Sequence, residues 1–336
     1  MIVVIGAFGF IGTYLVDELL MEKNEVIATG RNEVSMGYLL KKGASFVKLD
    51  ITKADDFYSL PTQGVKAVVL LAATLPANVR NYNPFDYVNT NVNGTLNVLE
   101  YCRINKIPKI IFTSSYADVR NLWAKDKPIT EKMPRDFLFT GDHALYVITK
   151  NMACDLIEHY SQEYGIQGIV FRLPPVYGYG PHLEIYENGK YYKSGFQVFV
   201  EKAIRGEQIE IWGDSKISRD IVYIKDVISA FISALKSTRA AGLYNITSGV
   251  PLSLDEQVRT TIKVFSLKDK ISGIVYRPDK KSTGFSYVFD ITKAKQDFGY
   301  APKFISFERM LLDYKEEIKK GRCDFLVASR KKSRDT

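Results

Sequence analysis

The 336-residue chain has three cysteines, Cys102, Cys154 and Cys323, in no CxxC or similar spacing. An odd, scattered set argues against a disulfide framework and a zinc site, and points to a reducing, cytoplasmic setting. No apolar run approaches the roughly 20 residues of a membrane span. The start Ile2-Val3-Val4-Ile5 is too short for a secretory signal and lacks its basic flank. There is no internal repeat and no low-complexity segment. The formal net charge is +8, yet no basic helix or nucleic-acid motif accompanies it, and Arg330, Lys331, Lys332 and Arg334 crowd the last seven residues. Residues 323–336 are therefore expected to form a solvated basic tail, and neither nucleic acid nor membrane is expected as a partner.

What is present is apolar material, 46% of the chain, enough for one large domain or two smaller ones. Short β-rich runs, Ile2 to Gly6, Glu25 to Gly30, Ser45 to Asp50, Ala67 to Ala72, Ile110 to Ser114 and Gly168 to Leu173, alternate with amphipathic stretches such as Ile11 to Met21 and Val92 to Arg103. That rhythm predicts an α/β fold, a doubly wound Rossmann-type parallel sheet. After Leu173, proline and glycine break the pattern; a polar, tyrosine-rich stretch, a helix from Phe196 to Arg205 and a strand at Ile209 to Trp212 read as a smaller cap. Ile221 to Ile224 and Leu243 to Ile246 resemble core strands again, flanking a helix from Val227 to Lys236. The domains thus interleave: 1–172 plus 220–250 for the sheet, 173–219 plus 251–322 for a smaller α/β substrate domain.

The run Gly6-Ala7-Phe8-Gly9-Phe10-Ile11-Gly12 follows a strand and opens a helix, the context in which a glycine-rich turn holds a dinucleotide. Gly6 permits the turn, Gly9 lets backbone N–H groups approach a pyrophosphate at the helix N-terminus, and Gly12 lets helix and strand pack closely. The second strand ends Gly30-Arg31-Asn32, without the acidic residue that accepts from a ribose 2′-OH. Arg31 could bind a 2′-phosphate, which favours NADP with NAD as the alternative; a solvated surface arginine is the competing reading. Asp50 could accept from the adenine amino group or simply cap the following turn. Tyr146 and Lys150, four apart in a run free of proline and glycine, share a helix face, where an ammonium would favour the charged phenol and make the tyrosine an acid or base.

Together these residues resemble the extended short-chain dehydrogenase/reductase family, in its nucleotide-sugar epimerase/dehydratase branch. The likeness extends through Leu71-Ala72-Ala73, Asn91 to Val98, Thr113-Ser114-Ser115, Val176-Tyr177-Gly178 and Arg219 to Ile224. It implies that Tyr146 exchanges a proton with the sugar, that Lys150 binds the nicotinamide ribose and lowers the tyrosine pKa, and that Ser115 holds the reacting oxygen. It implies a cofactor cleft lined by Gly6, Phe8, Gly9, Phe10, Ile11 and Gly12, by Arg31, Asn32, Asp50 and Ile51, and by Leu71, Ala72, Ala73, Asn91, Thr113, Tyr146, Lys150 and Pro174. Substrate would meet Thr74, Ser115, Tyr146, Tyr177 and Arg219, with Arg219 clamping its pyrophosphate unless it pairs with Asp220. No metal is implied.

Three departures from the family pattern bear on function. Leu71 replaces a histidine, Pro175 replaces an asparagine that contacts the sugar nucleotide, and Tyr116-Ala117 stand where dehydratases carry an acidic pair. The last argues against dehydration. Arg31 then makes an NADP-dependent nucleotide-sugar 4-ketoreductase the leading expectation and a 4-epimerase the alternative, with a non-catalytic dinucleotide sensor more remote. The family also implies a homodimer through a four-helix bundle of Asn93 to Arg103 and Ala144 to Glu163.

Overall fold

The computed structural model describes the chain apart from residues 32–35, 77–81, 125–126, 142, 181–183, 188–189, 283 and 328–336, and describes the backbone alone for 36, 184–187 and 190–191. Seven parallel strands form the main sheet: β1 (Ile2–Ile5), β2 (Val26–Gly30), β3 (Ser45–Lys48), β4 (Ala67–Leu70), β5 (Lys109–Ser115), β6 (Gln167–Leu173) and a last strand, Gly242–Asn245. Their order from one edge is Gly242–Asn245, β6, β5, β4, β1, β2, β3. The chain reverses direction across the sheet between β1 and β4, which opens a crevice at their carboxyl ends.

Helices cover both faces, so the central strands are continuous apolar runs rather than alternating ones. Along β1, Ile2 and Val4 join a core with Leu15 and Leu19 of α1 (Phe10–Met21) and with Val227 and Phe231 of helix Ile224–Lys236. Val3 and Ile5 point the other way, to Val98 and Leu99 of helix Gly94–Ile104 and to Ala153 and Ile157 of helix Ala144–Tyr164. Helix Gly94–Ile104 continues a π-helical turn, Val88–Asn93. Among the described residues, no helix is long and apolar enough to cross a membrane.

The smaller unit wraps helices Gly195–Arg205, Leu254–Phe265 and Phe307–Lys320 around a parallel pair, Ile209–Trp212 with Ile274–Arg277. Serines start these helices: Ser194, Ser253 and Ser306 each accept from a backbone N–H three residues on, and Ser253 with Glu256 has the capping-box spacing. The tyrosine-rich stretch forms an antiparallel hairpin, Glu184–Glu187 with Lys190–Lys193.

Three expectations about organisation change. Val222–Tyr223 lies outside the main sheet, paired with Val176–Tyr177, and Ile224 already begins the next helix. Helix Thr292–Phe298, assigned by sequence to the substrate domain, packs on the main sheet instead: Phe298 meets Tyr244 and Phe171, Tyr244 donates to Asp297, and Lys293 donates to the carbonyls of Ala241 and Leu243. The start of the supposed tail is also structured, because Cys323 and Leu326 are buried in the core beside Tyr14 and Val16; Arg330, Lys331, Lys332 and Arg334 lie outside the described residues.

Asp220 ties the two units. Its carboxylate accepts from the backbone N–H of Ser248, Gly249 and Phe289 and from the Ser248 hydroxyl. Asp220→Ala would leave the Phe289 N–H without an acceptor, at roughly 1–3 kcal/mol, while the N–H groups of Ser248 and Gly249 keep the Ile221 carbonyl and the Thr247 hydroxyl. Urea unfolding of this variant is expected to show a loss of at least about 1 kcal/mol; unchanged stability would mean that the tie is not structural.

Candidate active site

The glycine turn closes on itself with little clearance. Gly6 has φ +88, and a Cβ there would stand 2.7 Å from the backbone nitrogen of Ala72 at the end of β4. A Cβ on Gly12 would stand 2.3 Å from the Gly6 carbonyl oxygen, so α1 can approach β1 only without one. Gly9 is exposed at the N-cap of α1 and has no side chain to occupy the first-turn N–H groups. Positive helix end, close backbone and open crevice fit a dinucleotide pyrophosphate.

Gly30 has a steric reason. A Cβ there would fall 2.5 Å from the Phe8 ring, which also meets Phe46 edge-on at 5.5 Å. Phe8 therefore occupies the space where an acidic side chain would start. Arg31 is exposed, and its charge reaches the Asp50 carboxylate. Asp50 accepts from the backbone N–H and the hydroxyl of Thr52 through one oxygen, the turn-capping arrangement. Burial works against the Asp50 charge, but the Thr52 hydrogen bonds and Arg31 together hold its pKa below the usual value. Asn32 lies outside the described residues.

Along the rest of the crevice the placements are mixed. Leu71, Ala72, Ala73, Thr74 and Thr113 are half-buried at the ends of β4 and β5, and Pro174 is buried after β6. Ile51 turns into the core against Gly94, where a Cβ would come within 2.6 Å of it, rather than lining the cleft. Asn91 is buried, and its side chain is engaged elsewhere: it accepts from the Thr74 N–H and donates to the Thr74 carbonyl and the Thr149 hydroxyl. It braces the β4 loop to the tyrosine helix instead of presenting free donors.

Ser115 ends β5, where its hydroxyl accepts from the Ala117 N–H and lies near enough to the Tyr146 phenol to favour its charged form. The adjacent Ser114 acts on the Cys154 thiol instead, so the alternation of the strand selects Ser115 for the site. Tyr146 is half-buried in the first turn of helix Ala144–Tyr164, and burial raises its phenol pKa while Ser115 opposes that rise. Lys150 is 3% exposed, and its ammonium lies 3.7 Å from the centre of the Phe112 ring. Desolvation lowers it to about 7. The expected lowering of the tyrosine by the lysine is thus absent from this arrangement, because Lys150 rests on Phe112 and is itself poorly solvated.

Arg219 is exposed, and its guanidinium has the room that Gly284 leaves, where a Cβ would sit 2.6 Å from it. It forms no ion pair among the described residues. Burial raises the phenols of Tyr116, Tyr177 and Tyr287, and the Arg219 charge opposes this in each. The pairing with Asp220 that sequence allows does not form, because Asp220 is directed to backbone N–H groups. Tyr116 stacks on Trp123 at 4.9 Å, and both contact Tyr287. This aromatic group beside Ser115 escaped the sequence reading, since Tyr287 lies more than 160 residues from the other two. Asp118, the acidic residue that follows Tyr116-Ala117, is buried in a two-bond pair with Arg172, which leaves it unavailable as an acid for dehydration.

Fold, glycine turn and serine-tyrosine-lysine set together define an extended short-chain dehydrogenase/reductase. A model of the NAD dependent epimerase/dehydratase family matches residues 2–247, and the chain belongs to that family. It is 28% identical over 326 residues to a putative UDP-glucose 4-epimerase of Methanocaldococcus jannaschii, covering 95% of this chain and 96% of that one. It is also 28% identical to the UDP-glucuronate 4-epimerase of Thermodesulfobacterium geofontis, covering 92% and 93% respectively. Among solved structures, the UDP-glucose 4-epimerase of Thermotoga maritima with UDP-glucose superposes with a TM-score of 0.77 at 27% identity, covering 95% of this chain and 98% of that one.

The buried lysine generates a stability prediction. Lys150 titrates near 7 in the folded, cofactor-free chain and near 10.5 when unfolded. Between those values the unfolded chain binds more protons, so the cost of burying Lys150 is full below pH 7 and fades as pH rises towards 10.5. At roughly 1.4 kcal/mol per pKa unit the cost is a few kcal/mol. Cofactor-stripped Lys150→Met is expected to be more stable than wild type in urea at pH 6, with the advantage shrinking by pH 10. A less stable variant at pH 6 would show that the ammonium on Phe112 is favourable overall.

Proposed function

We propose that the protein is a nucleotide-sugar 4-epimerase that keeps one NAD through the reaction. The observation that carries this is the placement of Ser115 at the end of β5, where it acts on the Tyr146 phenol, with Lys150 one turn along the helix, in a chain similar over nearly its whole length to 4-epimerases. A bound nicotinamide supplies hydride removal and return at C4. Tyr146 takes the proton from the C4 hydroxyl as the C4–H bond breaks and returns it to the oxygen when hydride comes back on the other face, so no net oxidation results. Ser115 donates to the same oxygen and steadies its developing charge. Burial keeps the resting phenol protonated, so Tyr146 needs a nearby cation to begin as a base. Lys150, leaving the Phe112 ring, is the residue within reach.

Arg219, exposed and without an ion pair among the described residues, serves as a bidentate clamp for the nucleotide diphosphate. Phe8 accounts for Gly30, so the argument for NADP and net ketone reduction now rests on Arg31 alone. That residue already has the Asp50 charge beside it. The homodimer remains a proposal, supported by exposed Leu96, Ile104, Met152 and Tyr164 on the two helices.

The test incubates the purified protein with UDP-glucose, UDP-glucuronate and UDP-N-acetylglucosamine, and identifies the nucleotide released on denaturation by mass spectrometry. Retained NAD and interconversion of a C4 pair are expected. Consumption of NADPH with net reduction of a 4-keto sugar would replace this reading with the reductase. Tyr146→Phe is expected to lower kcat at least about a hundredfold while keeping bound cofactor. Near-wild-type turnover would remove Tyr146 from proton transfer.

A further inference from the structure

We infer that residues 321–327, at the end of the described chain, form a clasp that holds the dinucleotide in place, with Arg322, Asp324 and Tyr179 as its positioning residues. The inference rests on the epimerase reading, in which the same cofactor serves successive turnovers. The clasp fastens three elements.

The first is the glycine-turn helix α1. The Arg322 guanidinium pairs with Asp17 at 2.9 Å and lies 4.8 Å from the centre of the Tyr14 ring. Cys323 is fully buried in the same core as Tyr14. The second is helix Met36–Lys41, which carries Tyr38. That ring stacks on Phe325 at 4.9 Å, and its hydroxyl donates to Asp17. The third is the loop Gly178–Gly180, which follows Tyr177. The Tyr179 hydroxyl donates to Asp324, and the Tyr179 carbonyl accepts from Tyr14.

That loop lies directly on the cofactor turn. A Cβ on Gly180 would stand 2.3 Å from the Phe10 ring, and one on Gly178 would stand 2.9 Å from it. Phe10 is the first residue of α1, the helix whose N-terminus faces the pyrophosphate. Lifting the loop from Phe10 therefore means breaking the bonds of Tyr179 to Tyr14 and Asp324. Arg322 is in turn held by the fully buried Glu317 of helix Phe307–Lys320, so the clasp is anchored in the substrate unit. Opening it requires separating paired charges and exposing a buried thiol and a stacked ring, which makes cofactor release slow without adding a contact to the cofactor.

The test compares full-length wild type, Tyr179→Phe and Arg322→Gln. It measures bound dinucleotide per chain, its dissociation rate on dilution, the melting temperature, and kcat with and without saturating added NAD. Tyr179→Phe keeps the ring and loses only the hydrogen bond to a charged carboxylate. It is expected to release cofactor about tenfold faster or more, with kcat restored by added NAD and the melting temperature near that of wild type. Dissociation at the wild-type rate in both variants overturns the clasp, as does a kcat loss that added NAD does not restore. If wild type performs a net reduction, the epimerase reading fails; the dissociation rates, measured with the dinucleotide it uses, then still decide the clasp.

Discussion

The approach of α1 to β1 and β4 without intervening Cβ atoms is the constraint on which the remaining geometry depends. With Gly6 against Ala72 and Gly12 against the Gly6 carbonyl, the helix N-terminus is drawn to the sheet edge where the strand order reverses. The crevice formed there is bordered by β5, which delivers Ser115, and by the helix that delivers Tyr146 and Lys150. A side chain at Gly12 would push α1 outward and carry Phe10 away from the loop it covers. Cofactor turn, catalytic candidates and the Gly178–Gly180 loop are thus set by the same few ångströms.

Electrostatics in this crevice are those of a site awaiting a charged occupant. Desolvation lowers Lys150 and raises Tyr146, so each is displaced towards its neutral form. Arg219 stands exposed among three tyrosines whose phenols burial keeps protonated. The desolvated Lys150 ammonium is a cost to the fold rather than a source of stability. Stability is therefore drawn from elsewhere: from the continuous apolar strands, from Asp220 on its three backbone donors, and from the Arg322, Asp17 and Glu317 network at the end of the described chain.

Much of the site was legible because its parts are local. A glycine turn between strand and helix, and a tyrosine four residues before a lysine, carry their geometry in their spacing. Ser115 was distinguished from Ser114 only by resemblance, and the structure separates them by their partners, Tyr146 and Cys154. What was illegible depended on distant residues. Gly30 seemed a statement about the cofactor until Phe8 was found against it. Asn91 and Ile51 matched the family pattern, yet one is a brace and the other a core side chain. Cys323 looked like the start of a tail, although apolar packing against Tyr14 buries it.

By itself the sequence determined the parallel α/β fold, the glycine turn and the tyrosine-lysine pair, because strand and helix periodicities and a four-residue spacing are properties of adjacent residues. Only tertiary structure decided that helix Thr292–Phe298 belongs to the main sheet, that Asp220 ignores its neighbour Arg219, that Tyr116, Trp123 and Tyr287 meet beside Ser115, and that the segment after Lys320 fastens the cofactor helix. Each of these is a contact between segments far apart in the chain. Its energy comes from burial and pairing that exist only once the sheet has brought those segments together.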